Sequence, residues 1–228
     1  MKNQYLIVVL IAFFLISGCG KKSDTTTQKE EKSTEQTNQK SADEQKKEDS
    51  MKNVNAQLEK EKKVKEALEE EKLLNDTNGQ WAISAEASST YAKDNPDKNA
   101  NFSPNQMTGK PDCENYGDNG KAWAPEEADK GVEWVQLTYA KAVNAFEVRI
   151  RQNVGPGAII KIELIDDKGK LHTVWEGVDK TKYEENKIQW LIAKFNKTDY
   201  KTKVIKITLA TNSVPGWNEI DAVQLVGN

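Results

Sequence analysis

From about residue 80 onward, the sequence consists of short β-rich runs separated by turn residues, and this pattern limits the possible folds more than any other feature. All six tryptophans lie in this part of the chain. Runs of this length, with apolar residues in period two, predict strands. We predict eight strands, at 81–87, 132–139, 145–152, 158–166, 171–176, 188–195, 203–210 and 219–226. Because no amphipathic helix pattern separates them, the sequence predicts an all-β domain over residues 78–228, folded as an eight-stranded antiparallel sandwich or jelly roll.

The connections between these strands are short, with one exception. Asp166-Asp167-Lys168-Gly169 is typical of a hairpin turn, and Gly155-Pro156-Gly157 of a tight connection. Segment 88–131 has little strand character, and so long an irregular segment in a compact domain usually carries function. The alternative is that Phe102 and Trp123 are core residues that close one end of the sandwich.

The first 18 residues have the pattern of an export signal. An apolar run from Tyr5 to Ile16 is too short to span a bilayer but suits a signal-peptide core. It ends in Ser17-Gly18-Cys19, which resembles the bacterial lipobox. The resemblance predicts cleavage before Cys19, acylation of its thiol, and anchoring on the extracytoplasmic face of a bacterial cell envelope. An ordinary signal peptide with a chance cysteine is the alternative.

Residues 19–77 are predicted to form a tether between the lipid and the domain. Residues 20–50 are almost entirely polar, so they cannot bury enough surface to offset the entropy of ordering, and we expect disorder. Apolar residues between Glu and Lys at i,i+4 spacing predict a helix over 51–74. The apolar stripe is thin, which favours a single solvated helix and a monomer over a coiled-coil dimer.

The composition excludes several classes of function. The chain carries 33 Lys+Arg and 36 Asp+Glu, so no basic excess points to nucleic acid. The only histidine, His172, lies within a predicted strand, and no nucleophile-elbow motif accompanies it, so we predict a non-catalytic protein. Cys113 is the only thiol left after lipidation, and we expect it to be buried and inert.

The two arginines of the chain, Arg149 and Arg151, lie two residues apart in one predicted strand. In a chain that otherwise uses lysine, this placement predicts planar, bidentate or stacking contacts, and we consider both residues as ligand-binding candidates. The alternative is pairing with Glu133 or Glu163 across the sheet.

Several motifs of the predicted domain are similar to those of discoidin, or factor 5/8 C-type, galactose-binding-like domains. The matching runs are Thr108-Gly109-Lys110-Pro111-Asp112, Gly117-Asp118, Ala122-Trp123-Ala124-Pro125, Gly131-Val132-Glu133-Trp134-Val135-Gln136-Leu137, Pro156-Gly157-Ala158 and Pro215-Gly216-Trp217-Asn218-Glu219-Ile220-Asp221-Ala222-Val223. The resemblance implies a jelly roll whose loops at one end bind sugars, lipids or proteins. It also implies a place near that end for Tyr116, Trp123 and Trp217, which are the aromatic ligand-binding candidates.

The last predicted strand suggests a cation site. Alternation places Asp221 on the same face as Val223 and Leu225, where an ionised carboxylate needs a cation or hydrogen-bond donors. The resemblance implies a structural Ca²⁺ bound by Asp221 together with Asp112 and Asp118 of an early loop. A salt bridge or loop amides around Asp221 are the alternative.

These observations predict a membrane-anchored lipoprotein that presents a non-catalytic binding module. A carbohydrate of the cell wall or of a host is the expected ligand. A protein partner in an envelope complex, or service as the accessory domain of a separate hydrolase, remain alternatives.

Overall fold

The computed structural model describes residues 31–228, with side chains from residue 44 onward. The predicted signal peptide, Cys19 and the first part of the predicted linker lie outside the described residues. Within the described part of the chain, no helix combines the length and the apolar character that a bilayer crossing requires. The chain divides into two structural units, of which the second comprises Lys63–Asn228.

Helix α1 extends over Glu31–Leu74. The helix predicted over 51–74 is therefore confirmed, but residues 31–50 are helical where the composition predicted disorder. Neither Gly nor Pro interrupts α1, and its many Glu, Lys and Gln residues have good helix propensity. Pairs such as Glu48 and Lys52, 3.2 Å apart at i,i+4, add a few tenths of a kcal/mol each. Its apolar residues Met51, Val54 and Leu58 are exposed, as expected for a solvated helix.

All eight predicted strands are present in the structure. They are β1 (Gly79–Ala87), β2 (Val132–Val143), β3 (Ala145–Val154), β4 (Ile159–Asp166), β5 (Leu171–Glu176), β6 (Gln189–Lys194), β7 (Thr202–Ala210) and β8 (Glu219–Gly227). The predicted hairpin turn joins β4 to β5, with the amide of Asp166 donating to Lys170 O at 3.1 Å. Gly169 at its end has a φ of +80°, a conformation that glycine adopts without steric cost.

The strands form two antiparallel sheets that share β1. One sheet has the order β6-β3-β8-β1 and the other β1-β2-β7-β4-β5. The start of β1 pairs with β8, and after an irregularity between Ala82 and Ser84 the rest pairs with β2. A strand that changes sheets at a bend makes the corner of a sandwich. The predicted eight-stranded jelly-roll sandwich is thus confirmed.

The core lies between the two sheets, and the long connection between β1 and β2 closes one end of it. Val148 and Ile150 of β3 are fully buried, as are Ile205 and Ile207 of β7. Trp123, from the long connection, is also fully buried, and its backbone bridges Ile220 of β8. The alternative interpretation, that Phe102 and Trp123 are core residues that close one end, is thus confirmed for Trp123, whereas Phe102 is only half-buried.

The pairing of β3 with β8 contains two bulges close to that closed end. Arg151 pairs with Ala222 and Gln152 with Ile220, so Asp221 is an extra residue in β8. Val154 then pairs with Glu219, so Asn153 is an extra residue in β3. A bulge interrupts the alternation of side chains and changes the direction in which the bulged residue points.

Candidate functional site

A small cleft opens at the closed end of the sandwich, between the β1–β2 connection and the start of β8. We call it the loop-end cleft. Its volume is about 120 Å³, and it is lined by Tyr91, Phe102, Asp118, Ala124, Trp217 and Glu219. The long connection, which sequence analysis predicted to carry function, provides four of these six residues.

Three aromatic rings form one wall of the cleft. Tyr91 lies edge-on to Phe102, with ring centroids 5.3 Å apart, and edge-on to Trp217, with centroids 5.5 Å apart. Tyr91 is 58% exposed, although aromatic side chains of this size are generally much more buried. An exposed ring held by two others is a preformed surface for stacking.

The backbone of Phe102 is held in an uncommon conformation. Its φ is +65°, in the left-handed region that residues with a Cβ seldom adopt. Its amide donates to Gly120 O at 2.9 Å, and its carbonyl accepts from the hydroxyl of Thr90 at 2.8 Å. Because the surrounding hydrogen bonds maintain this conformation, the position of the ring in the cleft is specified by the loop.

Two carboxylates, Asp118 and Glu219, also line the cleft. Glu219 is 2% exposed and accepts a hydrogen bond of 3.0 Å from Asn153 Nδ2. Burial raises the pKa of the Glu219 carboxyl to about 7; the hydrogen bond from Asn153 opposes this rise, and neighbouring Asp118 adds to it. The bulge at Asn153 gives this amide its place beside Glu219.

A close backbone approach positions Trp217. A Cβ on Gly155 would lie 2.3 Å from Trp217 O and 2.6 Å from Asn218 Nδ2, so only glycine fits there. Asn218 in turn donates to Gly155 O at 2.8 Å. The turn between β3 and β4 therefore supports the residues that lead into the cleft.

The aromatic ligand-binding candidates are found in three different environments. Trp217 lines the loop-end cleft. Trp123 is buried in the core, with its indole nitrogen donating to Ser89 O at 3.1 Å, so its assignment as a ligand contact was wrong. Tyr116 is 37% exposed and lies outside the cleft. It lines a groove of about 740 Å³ beside β6, the β6 groove, together with Trp190 and Ile192.

The two arginines bind other parts of the protein. Arg149 contacts Glu147, Gln224 and Asp76, with Nη2 of the guanidinium 2.8 Å from Asp76. Neither of the partners considered as an alternative is involved, because Glu133 bonds to the Ser88 hydroxyl and Glu163 pairs with Lys161.

Arg151 is likewise engaged within the protein. It pairs with Asp221 and with Glu70, and it donates to Cys113 O at 2.7 Å. Its side chain is 11% exposed. Both guanidiniums are thus almost buried and bonded to other residues of the chain, which does not fit the expectation that they bind a ligand.

The acids proposed as calcium ligands separate into two places. Asp118 lines the loop-end cleft, whereas Asp112 and Asp221 lie together with Cys113. One oxygen of Asp221 accepts from the amides of Asp112 and Cys113 at 3.2 and 3.4 Å, and the other accepts from Arg151. Because a guanidinium and two amides already satisfy this carboxylate, these residues do not fit Ca²⁺. The alternative of a salt bridge and loop amides therefore describes Asp221.

The predictions for His172 and Cys113 hold. His172 lies 2.8 Å from Asp166 and stacks on Tyr200 with centroids 3.9 Å apart, so it is a partnered strand residue. Cys113 is buried, and desolvation together with the charge of Asp221 raises its pKa to about 12. A thiol with so high a pKa does not ionise near neutral pH and is unreactive.

Sequence analysis did not identify Tyr91, Phe102 and Glu219 as site residues. Tyr91 and Phe102 belong to the long connection, but many other polar and aromatic residues of that segment are equally prominent in the sequence. One sequence feature could have identified Glu219 as a site residue. It directly follows Trp217 and Asn218, at the start of the last strand.

Comparison with protein families identifies the domain. Residues 70–228, more than two thirds of the chain, match the family described as "Pappalysin-1, SD scarf domain, C-terminal". The chain belongs to this family. No curated protein matches the sequence.

Solved structures with similar folds have low sequence identity to the chain. Chitosan-binding module 1 of a chitosanase/glucanase from Paenibacillus sp. IK-5 is 14% identical, covers 63% of this chain and 94% of its own, and has a TM-score of 0.44. The CBM32 module of AlyQ, solved with 4,5-unsaturated mannuronic acid, is 19% identical, with coverages of 64% and 96% and a TM-score of 0.43. Reduced XRCC1, solved bound to the catalytic domain of DNA polymerase β, is 11% identical, with coverages of 66% and 99% and a TM-score of 0.47. The ligands and partners named are those of the matched proteins.

Proposed function

We propose that this protein is a lipid-anchored, non-catalytic module that binds carbohydrate in the loop-end cleft. The observation that carries the proposal is that the exposed Tyr91 ring and Trp217 line the same small cleft as Asp118 and Glu219. The cleft thus combines aromatic and carboxylate side chains in one concave site.

This combination suits a sugar ring. The C–H faces of a sugar are apolar and pack on aromatic side chains, whereas its hydroxyl groups need hydrogen-bond partners. Ionised carboxylates accept such bonds at up to four lone-pair positions each. A cleft of about 120 Å³ takes one sugar unit or part of one, so a longer glycan would extend beyond it.

Glycoside hydrolases use two carboxyl groups about 5 to 9.5 Å apart, so that a nucleophile or a water can act across the bond. In the loop-end cleft, Asp118 and Glu219 are instead direct neighbours, since Asp118 adds to the raised pKa of the Glu219 carboxyl. Elsewhere in the described chain, His172 is paired with Asp166 and Cys113 is buried. These placements support binding rather than catalysis.

The proposed anchor is the acylated Cys19 of the Ser17-Gly18-Cys19 motif. Its supporting observation is the sequence of the first 19 residues, with a charged start, an apolar run and small residues before the cysteine. The module would then act at the extracytoplasmic face of a bacterial membrane.

The proposal predicts that the cleft aromatics determine glycan affinity. A glycan array, followed by calorimetry with the best ligand, should show binding by the full chain in detergent. Tyr91→Ala and Trp217→Ala should each weaken that affinity about tenfold or more, because each removes a stacking surface. Trp134→Ala is the matched control, since Trp134 is an aromatic residue of β2 that contacts Lys206 outside the cleft.

Folding of the variants is checked by their melting temperatures. Wild-type affinity in both Tyr91→Ala and Trp217→Ala would place the glycan elsewhere and reject the cleft as the site. Hydrolysis of a cell-wall glycan by the pure protein would reject the non-catalytic function.

A protein partner is the second candidate function, and the β6 groove favours it. Tyr116 and Ile192 expose 37% and 40% of their surfaces there, beside an edge strand of the sandwich. Edge strands with exposed apolar side chains are a common surface for protein binding. Loss of a crosslinked partner on Ile192→Lys, with glycan binding unchanged, would support this second function.

A further inference from the structure

The loop-end cleft contains more hydrogen-bond acceptors than donors. Glu219 is buried and accepts from Asn153 and from the backbone amide of Asn119, and Asp118 lies beside it. No lysine or arginine of the described residues forms an ion pair with Asp118 or Glu219. The nearest candidates are engaged elsewhere, because Lys121 pairs with Asp112 and Arg151 with Asp221.

The side chain of Asn153, which bonds to Glu219, adds a further acceptor at this end of the sandwich. Asn153 has no exposed surface, and its Oδ1 has no hydrogen-bond partner among the described residues. The amide nitrogen of the same side chain donates to Glu219 and to Gly117 O. This unpaired acceptor beside Glu219 adds to the excess of acceptors over donors at this end of the sandwich.

The aromatic residues of the cleft restrict the chemistry of its ligand. Tyr91, Phe102 and Trp217 present three rings to the cleft, and aromatic faces attract an organic cation. Ca²⁺ takes six to eight oxygen ligands, which a wall of rings does not provide. A protonated amine satisfies both sides, because it donates to the carboxylates while its carbon skeleton packs on the rings.

We propose that the loop-end cleft selects a cationic amino sugar, with its ammonium group bound by Glu219 and Asp118 and its ring packed on Tyr91 and Trp217. The proposal rests on the proposed function, because it names the class of carbohydrate that the same site takes. The proposal predicts that the cleft binds sugars with a free amine more tightly than the corresponding N-acetylated sugars, which have the same ring but no charge.

Two matched ligands test this selectivity. The full chain in detergent is titrated calorimetrically with a β-1,4-linked glucosamine tetramer and with the N-acetylglucosamine tetramer at several pH values between 5 and 8. This range is needed because Glu219, whose pKa is about 7, is largely neutral at its acid end. We expect the free-amine tetramer to bind at least about tenfold more tightly, which is the effect of one charge-assisted contact. Glu219→Gln keeps the shape of the side chain and should abolish this preference. Glu163→Gln, which removes a carboxylate of β4 outside the cleft, should keep it.

The possible results distinguish failure of the amino-sugar proposal from failure of the proposed function. Equal affinity for the two tetramers, or a preference that persists in folded Glu219→Gln, would overturn the amino-sugar proposal and leave carbohydrate binding intact. Loss of binding in EDTA, with recovery in Ca²⁺, would also overturn it, because the carboxylates would then hold a metal. Absence of binding to these tetramers and to every neutral glycan of the array would reject the proposed function itself.

Discussion

At the residue scale, the bulged side chains of Asn153 and Asp221 determine which charged groups are neutralised near the cleft. Asp221 bonds to Arg151 and to two backbone amides, so its charge is balanced within the protein. Asn153 donates to Glu219 but brings no charge, so that carboxylate lacks a cation. Two acids separated by one residue thus have different environments, because a guanidinium pairs with Asp221 and only neutral groups donate to Glu219.

The environment of Glu219 predicts a specific dependence of stability on pH. Its pKa is raised from 4.5 to about 7 in the folded protein, so the folded state binds this proton more tightly than the unfolded state. The stability that protonated Glu219 contributes is therefore fully present below about pH 4.5 and is lost as the pH rises through 7. As the pH rises from 5 to 8, the free energy of unfolding of the wild-type protein should therefore fall relative to that of Glu219→Gln.

Urea unfolding of the two proteins at several pH values measures this difference. The glutamine variant carries no titrating group at that position, so other titrations cancel in the comparison. A difference in the free energy of unfolding that stays constant between pH 5 and pH 8 would contradict the raised pKa.

At the element scale, the end of helix α1 is part of the β-domain. Leu73 O accepts hydrogen bonds from Gln224 Nε2 at 3.1 Å and from Arg149 Nη1 at 3.4 Å. A guanidinium beside the last carbonyls also interacts favourably with the negative end of the helix dipole. Arg151 adds an ion pair with Glu70 at 3.2 Å. The two arginines thus attach the end of α1 to the β-domain, which therefore extends further toward the N-terminus than the predicted boundary of residue 78.

Removal of the helix end should therefore destabilise the domain. A chain that starts at residue 78 lacks Glu70, Leu73 and Asp76, which leaves Arg149 without two of its partners. We expect its free energy of unfolding to be lower by about 1–3 kcal/mol than that of a chain starting at residue 63, which is the range for the loss of a charged hydrogen-bond partner.

Urea titrations of the two chains measure this difference. A third chain, starting at residue 44, is the control and should match the chain starting at 63, because residues up to Lys62 belong to a separate unit. Equal midpoints and slopes for the chains starting at 63 and 78 would show that the contacts of α1 contribute nothing to stability.

At the scale of the whole molecule, the proposed function requires both the lipid and the cleft. The lipid would retain the protein at the membrane, and the cleft would bind the glycan. Two or three acyl chains hold a protein stably at a membrane, since each buried CH₂ contributes about 0.8 kcal/mol.

Replacement of Cys19 by Ser should therefore release the protein from the membrane. Fractionation of cells expressing Cys19→Ser is expected to show it in the soluble fraction or with an uncleaved leader, and mass spectrometry of the wild type should show acyl chains on Cys19. Retention of a processed Cys19→Ser protein on the membrane, with no acyl mass on the wild type, would disprove the anchor.

Local sequence patterns determined the strands, the main turns and the helical end of the tether. Period-two alternation and turn residues are properties of adjacent positions, so they could be interpreted without any partner strand. The burial of Cys113 and the partnered state of His172 were also predicted, since the sequence offers no second catalytic group. The jelly-roll topology followed from the motif resemblance together with the number of strands.

Only the tertiary structure decided which of these residues form the site. Trp123 and Trp217 occur in similar turn-rich segments, yet one is buried beside Ile220 and the other lines the cleft. Alternation placed Asp221 with the apolar face of β8, and a single bulged residue gave it Arg151 as its partner instead. Bulges and loop packing depend on contacts between residues far apart in the chain, and a local pattern contains no information about such contacts.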